Sequence, residues 1–380
     1  MDSVFIVATI VKLLLILAIA VGAFAPVLVW AERRQSAMMQ DRIGPTRAGF
    51  PLLGKNIALG GLLHPLADAL KFIWKEDFVP PRADKLLHAL APIIALIAAI
   101  AALAIIPFGD VIFLDYWNDV IPRDGAISGP STMLQVATID VGILYLFAIA
   151  GTGVIGAAIA GYASDNKFSL MGGMRAAGQL VSYEVVLGLT LVPMFMLFGT
   201  LRPEEMVRWQ HEHHLWGLFV NPFAFVLFLT ASIAESKRIP FDVPEGESEI
   251  VGGYFTEYSG MKFGMFFMGE FIEVTVLAML VTTIFLGGWD VPFLYRSGFG
   301  TPGGATFLEL PHLAVLALQF LAFIVKTVLV IFVQLQIRWT LPRFRYDQIM
   351  KLCWKGMLPA ALILILVYGG AILAWGELFG

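Results

Sequence analysis

Asp140, Glu184, Glu270 and Glu273 fall inside long apolar runs of this sequence, and Glu235 closes another. A carboxylate in apolar surroundings persists in one of three ways: it meets a base, it stays protonated, or it reaches water. The apolar runs themselves supply only Lys12 and Lys326 as bases. Five acids cannot all be neutralised by two lysines, so several are expected to be protonated or hydrated, which is the condition for a proton path. The acids continue past Glu235, in Glu235-Ser-Lys-Arg238-Ile-Pro-Phe-Asp242-Val-Pro-Glu245-Gly-Glu247-Ser-Glu249, and Glu257 follows. Such a run is usually a solvated face. Here it starts within a helix end, and two prolines and a glycine fix its course, as suits irregular backbone beside a water-filled cavity. Acids this crowded titrate as a group.

Three other patterns could carry chemistry. His64, Asp68, Lys71 and Lys75 recur at spacings of four, three and four, forming one polar stripe on a helix expected over about 52–77. Leu62, Leu63, Leu66, Leu70, Ile73 and Trp74 cover its other sides, so it reads as an amphipathic helix at the membrane surface whose stripe lines a cavity. His211, Glu212, His213 and His214 cluster without another ligand at metal-site spacing, and a solvated loop is expected. Gly151-Thr-Gly153-Val-Ile-Gly156 spells the dinucleotide fingerprint, but it lies mid-run rather than between a strand and a helix. Gly153, Ala157 and Gly161 instead repeat every four residues, the pattern of closely packed membrane helices.

The elements that must position these residues follow from composition. Of 380 residues, 58% are hydrophobic and 14% charged, against about 25% charged in soluble domains. Mean hydropathy is +0.81. An all-α membrane protein is expected, with eight spans at about 4–30, 84–106, 132–161, 178–199, 218–236, 262–287, 312–336 and 357–378, one polytopic domain over 1–380. The first run is too long for a signal-peptide core and lacks a basic leader, so it reads as a retained helix. A net charge of −4 offers no case for nucleic acid as partner, and a single cysteine, Cys353, cannot hold an iron–sulfur cluster. Nineteen of the 25 Lys and Arg residues fall in or beside the loops 31–83, 162–177, 237–261 and 337–356, and four in the alternate loops. The basic loops belong in the cytoplasm, so both termini are expected outside.

With these residues in view, the chain resembles the H-type membrane component of proton-pumping NADH:quinone oxidoreductase, respiratory complex I, a family whose mitochondrial counterpart is subunit 1. The matching stretches are Ala31-Glu-Arg-Arg34, Gln40-Asp-Arg-Ile-Gly-Pro-Thr-Arg47, Pro65-Leu-Ala-Asp-Ala-Leu-Lys71, Ser182-Tyr-Glu184, Ala234 to Glu249, Thr256-Glu-Tyr-Ser259 and Arg338-Trp-Thr-Leu-Pro-Arg-Phe-Arg-Tyr-Asp347. They run in order over nearly the whole chain; the outward loops 107–131, 200–217 and 288–311 carry no such motif.

The resemblance implies eight helices plus an interfacial one, and a share in a quinone chamber. It puts Glu184, Glu235, Asp242, Glu245, Glu247 and Glu249 on an acidic proton path, and Arg33, Arg42, Asp68 and Lys71 at the chamber's mouth and walls. It assigns no role to Asp140, Glu270 or Glu273. Quinone, ubiquinone or menaquinone, would be the substrate, with no FMN, iron–sulfur cluster or nucleotide held by this chain. The partners implied are the other membrane-arm subunits, the peripheral-arm subunits bearing the last cluster and the quinone pocket, and the lipid of a bacterial cytoplasmic membrane. Two rivals remain at this stage: the membrane anchor of an energy-converting hydrogenase, and a self-sufficient ion transporter. The full Glu245-Gly-Glu-Ser-Glu249 loop favours the dehydrogenase over the first. The lack of inverted repeats and paired broken helices disfavours the second.

Overall fold

A computed structural model describes residues 3–379 apart from 53–54, 58, 114, 117–118, 122–130 and 302–305, with backbone only at 3–8, 20–21, 50–52, 55–57, 247–248 and 375–379. It is mostly helical. In chain order the helices are α1 (Ser3–Ile19), α2 (Ala25–Met39), α3 (His64–Trp74), α4 (Lys85–Ala102), α5 (Gly142–Ala163), α6 (Lys167–Phe198) and α7 (Pro203–His213). There follow α8 (Gly217–Val220), α9 (Pro222–Glu235), α10 (Glu247–Ile250), α11 (Gly260–Phe285), α12 (His312–Thr340), α13 (Tyr346–Lys351) and α14 (Leu358–Phe379). Short antiparallel strands tie the loops: β1 (Phe50–Leu52) to β2 (Lys55–Ile57), β3 (Val111–Phe113) to β4 (Ser131–Met133), and β5 (Leu294–Tyr295) to β6 (Gly298–Gly300) to β7 (Thr306–Glu309).

Seven helices among the described residues are long and apolar enough to cross a membrane: Thr9–Met39, Lys85–Ile105, Gly142–Ala163, Lys167–Phe198, Gly260–Phe285, His312–Thr340 and Tyr346–Ala374. The expected span at 218–236 is the 14-residue α9. At 1.5 Å per residue it is about 21 Å long, short of the ~30 Å apolar thickness. Asn221 caps it through Ala224 N, and Pro222 fits the first turn, so the helix cannot extend backwards. The amphipathic helix is shorter than its expected 52–77: α3 keeps His64, Asp68 and Lys71, but Lys75 lies just past its end.

The boundary at 162–177 moves most. The sequence reading leaves these residues as a loop between two spans, yet α6 already begins at Lys167, capped by Asn166. The glycines are there for close approach. A Cβ at Gly172 would lie 2.5 Å from Tyr254 N and 2.6 Å from Gly253 Cα, so α6 seats the acidic loop on bare backbone. In α5, Gly156 lies against the α4 backbone and Gly161 against Gly173 of α6, which places the fingerprint-like glycines in helix packing.

α11 is the central column. Every residue from Gly269 to Phe285 except Glu273 is buried, and α2, α3, α4, α9 and α12 pack around it.

Three expectations about charge are corrected here. Asp140 is not within a span; it precedes α5, is exposed, and pairs with Arg202, which also meets Glu205. Lys12 and Lys326 are not counter-ions for the buried acids. Lys12 Nζ donates to Thr132 Oγ1 at 2.7 Å, Met133 O at 3.0 Å and Gln135 O at 2.9 Å. Lys326 Nζ donates to the carbonyls of Leu286, Gly288 and Asp290 at 2.8, 3.1 and 2.6 Å. The histidine cluster is not a loop: α7 runs to His213, His211 Nδ1 meets Asp290 Oδ1 at 2.6 Å, and His213 stacks on Trp209.

Candidate functional site

The polar residues converge at one end of α11. The chain leaves α9 at Glu235 and turns at Lys237, whose φ of 54° lies in the left-handed region. Gln179 of α6 holds both sides of this turn, its Nε2 donating to Ala234 O at 2.7 Å and Phe241 O at 2.8 Å. The turn brings bases among the acids. Lys237 Nζ lies 3.3 Å from Glu273 Oε2, and Arg343 Nη2 donates to Asp242 Oδ2 at 2.7 Å. Glu32 of α2 accepts from Arg238 at 3.5 Å and pairs with Arg338. The bases that the apolar runs lacked therefore come from loop and helix-end residues folded inward.

Two cavities meet there. The larger, about 930 Å³, has guanidinium groups from Arg42, Arg238 and Arg338 and an aromatic wall of Phe255, Phe263 and Phe267. The smaller, about 50 Å³, is bounded by Glu235, Lys237, Glu273 and Tyr254 against the alanine faces of α4 and α5. Glu270 lines both. Tyr254 Oη donates to Glu270 Oε1 at 2.9 Å. Glu235 is buried, and its Oε2 has no hydrogen-bond partner among the described residues.

The surroundings act strongly on the loop's ionisable groups. Burial pushes Asp242 up to about 6 against the pull of Arg343, and it pushes Glu245 well above the usual carboxylate range, with Glu270 and Asp242 adding to it. Burial likewise raises Tyr254, and the Glu270 and Glu245 charges raise it further. Burial opposes the Lys237 ammonium, yet Glu273, Glu270 and Glu235 together outweigh it and hold its pKa above the ordinary value. Such a group can hold protons near neutral pH and exchange them when a neighbouring charge changes.

Of the expected acidic row, Glu235, Asp242 and Glu245 come together around Glu270 and Glu273. Glu184 stands opposite Gly151 of α5, where a Cβ would meet its carboxylate at 3.0 Å, and it is a charged neighbour of Glu235. Glu249 sits at the edge, half exposed and paired with Arg175 at 2.5 Å. Glu247 opens α10, and its side chain lies outside the described residues. Arg33 and Arg42 line the larger cavity. Asp68 joins it through Arg33 at 2.6 Å, while Lys71 is exposed and 4.0 Å from Asp68. Sequence reasoning left Glu270 and Glu273 without a role and did not single out Glu32, Lys237 or Tyr254. The signal for the first pair was their spacing of three within an apolar run, which puts both on one helix face.

The family described as NADH dehydrogenase matches residues 11–369. The first of the H-type subunits of NADH-quinone oxidoreductase in Geobacter metallireducens is 44% identical over 345 residues, 91% of this chain and 91% of that protein. Its counterpart in Cytophaga hutchinsonii is 42% identical, covering 90% of this chain and 91% of the relative. The H-type subunit of Flavobacterium psychrophilum is 39% identical over 98% of this chain and 99% of its own length.

Proposed function

The chain belongs to the NADH dehydrogenase family, and on that premise we propose that it is a membrane subunit of a multisubunit NADH-quinone oxidoreductase, admitting quinone to the larger cavity and passing the resulting charge change to the acids behind it. The observation that carries this reading is the position of Glu270, at once a wall of the roomy cavity and of the small acid-lined one. The larger cavity suits an amphipathic ring: aromatic side chains on one side, and cations that stabilise negative charge on the ring oxygens on another. Electrons arrive from a peripheral-arm partner bearing the last iron–sulfur cluster. Each quinone takes two electrons and two protons to become quinol. Before those protons arrive the reduced ring is anionic, and its charge favours protonation of nearby carboxylates. Glu245, Asp242, Glu270, Glu273, Glu235 and Glu184 then pass the change towards neighbouring membrane-arm subunits.

A photoreactive quinone analogue in the assembled complex tests the cavity assignment. Label is expected within residues 32–47 or 252–270 and is displaced by excess quinone. Label confined to lipid-facing residues of α14 would refute it.

The orientation belongs to the same proposal. The basic loops lie in the cytoplasm of a bacterial membrane and both termini lie outside, so α9, though short, completes an eighth crossing. A C-terminal tag is expected to react with impermeant reagents added outside. A tag accessible only from the cytoplasm would leave seven crossings.

A further inference from the structure

His88 is a buried titratable group that the path above does not use. It stands in the first turn of α4, fully buried, its ring stacked on Tyr258 at 4.1 Å with an interplanar angle of 6°. Neither ring nitrogen reaches hydrogen-bonding geometry with a described residue, and neither does the Tyr258 hydroxyl. The Glu257 backbone acts on His88, and the Ser164 side chain on Tyr258. Leaving such groups dry costs about 1–3 kcal/mol each, so a buried site of this kind calls for water.

Ser164 and Glu257 also line a separate cleft of about 560 Å³ at the cytoplasmic ends of α4, α5 and α6, with Arg82, Asp165 and Lys167 at its rim. Asn166 Nδ2 donates to Glu257 Oε1 at 2.6 Å and fixes one wall. The charges facing His88 are Lys262 of α11, which pairs with Asp77 at 2.8 Å, together with Asp77 and Glu257. On the inner side, His88, Ala91, Ala95 and Ala98 share one face of α4, and Ala95 and Ala98 already line the small acid cavity. Seven residues of helix, about 10 Å, separate His88 from Ala95. Phe266 stands between, touched by Tyr258 at 5.0 Å on one side and by Tyr254, the donor to Glu270, at 5.7 Å on the other.

We propose that His88 and Tyr258 form a second proton intake, leading from the cytoplasmic cleft at Ser164 and Glu257 to Glu270 without passing through the quinone cavity. A water in the cleft gives a proton to one ring nitrogen of imidazole, and the other nitrogen releases its own to a water on the inner side. The cytoplasm loses one proton and the acid group gains one; the ring is left in its other tautomer, and a half-turn about its Cβ–Cγ bond restores the start. Phe266 keeps the two polar compartments apart, so transfer waits on its displacement. The intake resupplies the acids while the quinone cavity is filled by ligand. This inference rests on the reading of the acids as a proton path.

The test uses the intact complex in sealed vesicles, with protons moved per NADH oxidised as the readout. His88→Gln keeps a hydrogen-bonding side chain that carries no proton, and His88→Phe fills the space. Glu235→Gln serves as the reference for the acid path. The expected result is a ratio halved or lower in both His88 variants. An unchanged ratio in them, beside NADH oxidation and pumping that fall together in Glu235→Gln, overturns the intake and leaves the acid path standing. An unchanged ratio in the His88 variants beside full NADH oxidation and pumping in Glu235→Gln overturns both. Failure of both His88 variants to assemble assigns His88 to packing and also overturns the intake.

Discussion

Glu235→Gln is expected to cut quinone reduction and proton pumping together, by about ten-fold or more, in a complex that still assembles. The residue is buried where α9 ends, one oxygen has no partner among the described residues, and its charged neighbours are Glu273, Glu184 and Lys237. It therefore stands between the acids around Glu270 and Glu184 across the helix packing. Two charges about 4 Å apart interact by about 4 kcal/mol at an effective dielectric of 20, and a ten-fold rate change needs about 1.4 kcal/mol. The electrostatics are ample for the effect. Glutamine keeps the shape but cannot change charge, so the relay breaks while packing stays. Loss of the Glu235 charge strands neither neighbouring base, because Arg238 pairs with Glu32 and Lys237 keeps Glu273. Native gels and activity on the same membranes decide the matter. Normal pumping by an assembled variant would remove Glu235 from the path.

Glu32→Gln has the opposite expected profile: loss of the assembled complex. This carboxylate serves two guanidinium groups, Arg238 and Arg338, with side-chain exposures of 11%, 14% and 20% for the three residues. Removing one partner of a buried pair typically costs about 3–5 kcal/mol because the other charge is left desolvated. Here two are left. Arg238 also lies over the Phe271 ring at 4.2 Å, so its displacement reaches the central column. The measurement is the amount of intact complex on native gels and its melting temperature in detergent. Wild-type values for both would show that the pair is not holding the cavity floor together. Set beside Glu235→Gln, this variant separates an acid that works by changing charge from one that works by keeping it.

Much of the architecture was legible because its cause is local. Apolar runs of spanning length mark the helices, and the carboxylates inside them marked the region of the site before any geometry was known. What failed to show depended on contacts distant in sequence. Gly172 and Gly173 look like loop residues until Tyr254 and Gly161 lie against them. α9 looks like a full span because 218–221 are mostly apolar, but Asn221 and Pro222 set its start. Lys237 reads as a surface base beside Arg238, and only the turn at its own backbone brings it to Glu273. The motif match named an acidic row, of which Glu235, Asp242 and Glu245 lie together, but gave no role to Glu270 and Glu273, whose place beside two cavities no local pattern encodes.

The contacts of Lys326 and Lys12 bear on the order in which the chain can be built. Lys326 finds its acceptors 36 to 40 residues earlier in the chain, already synthesised when α12 emerges. Lys12 must wait, since Thr132, Met133 and Gln135 come 120 to 123 residues later. Until then its ammonium can only reach towards the headgroups along its own flexible stem. The first span, Thr9–Met39, is therefore made long before the three acceptors of its lysine. A ribosome paused before residue 132 would hold a nascent chain whose Lys12 still lacks all three of these acceptors.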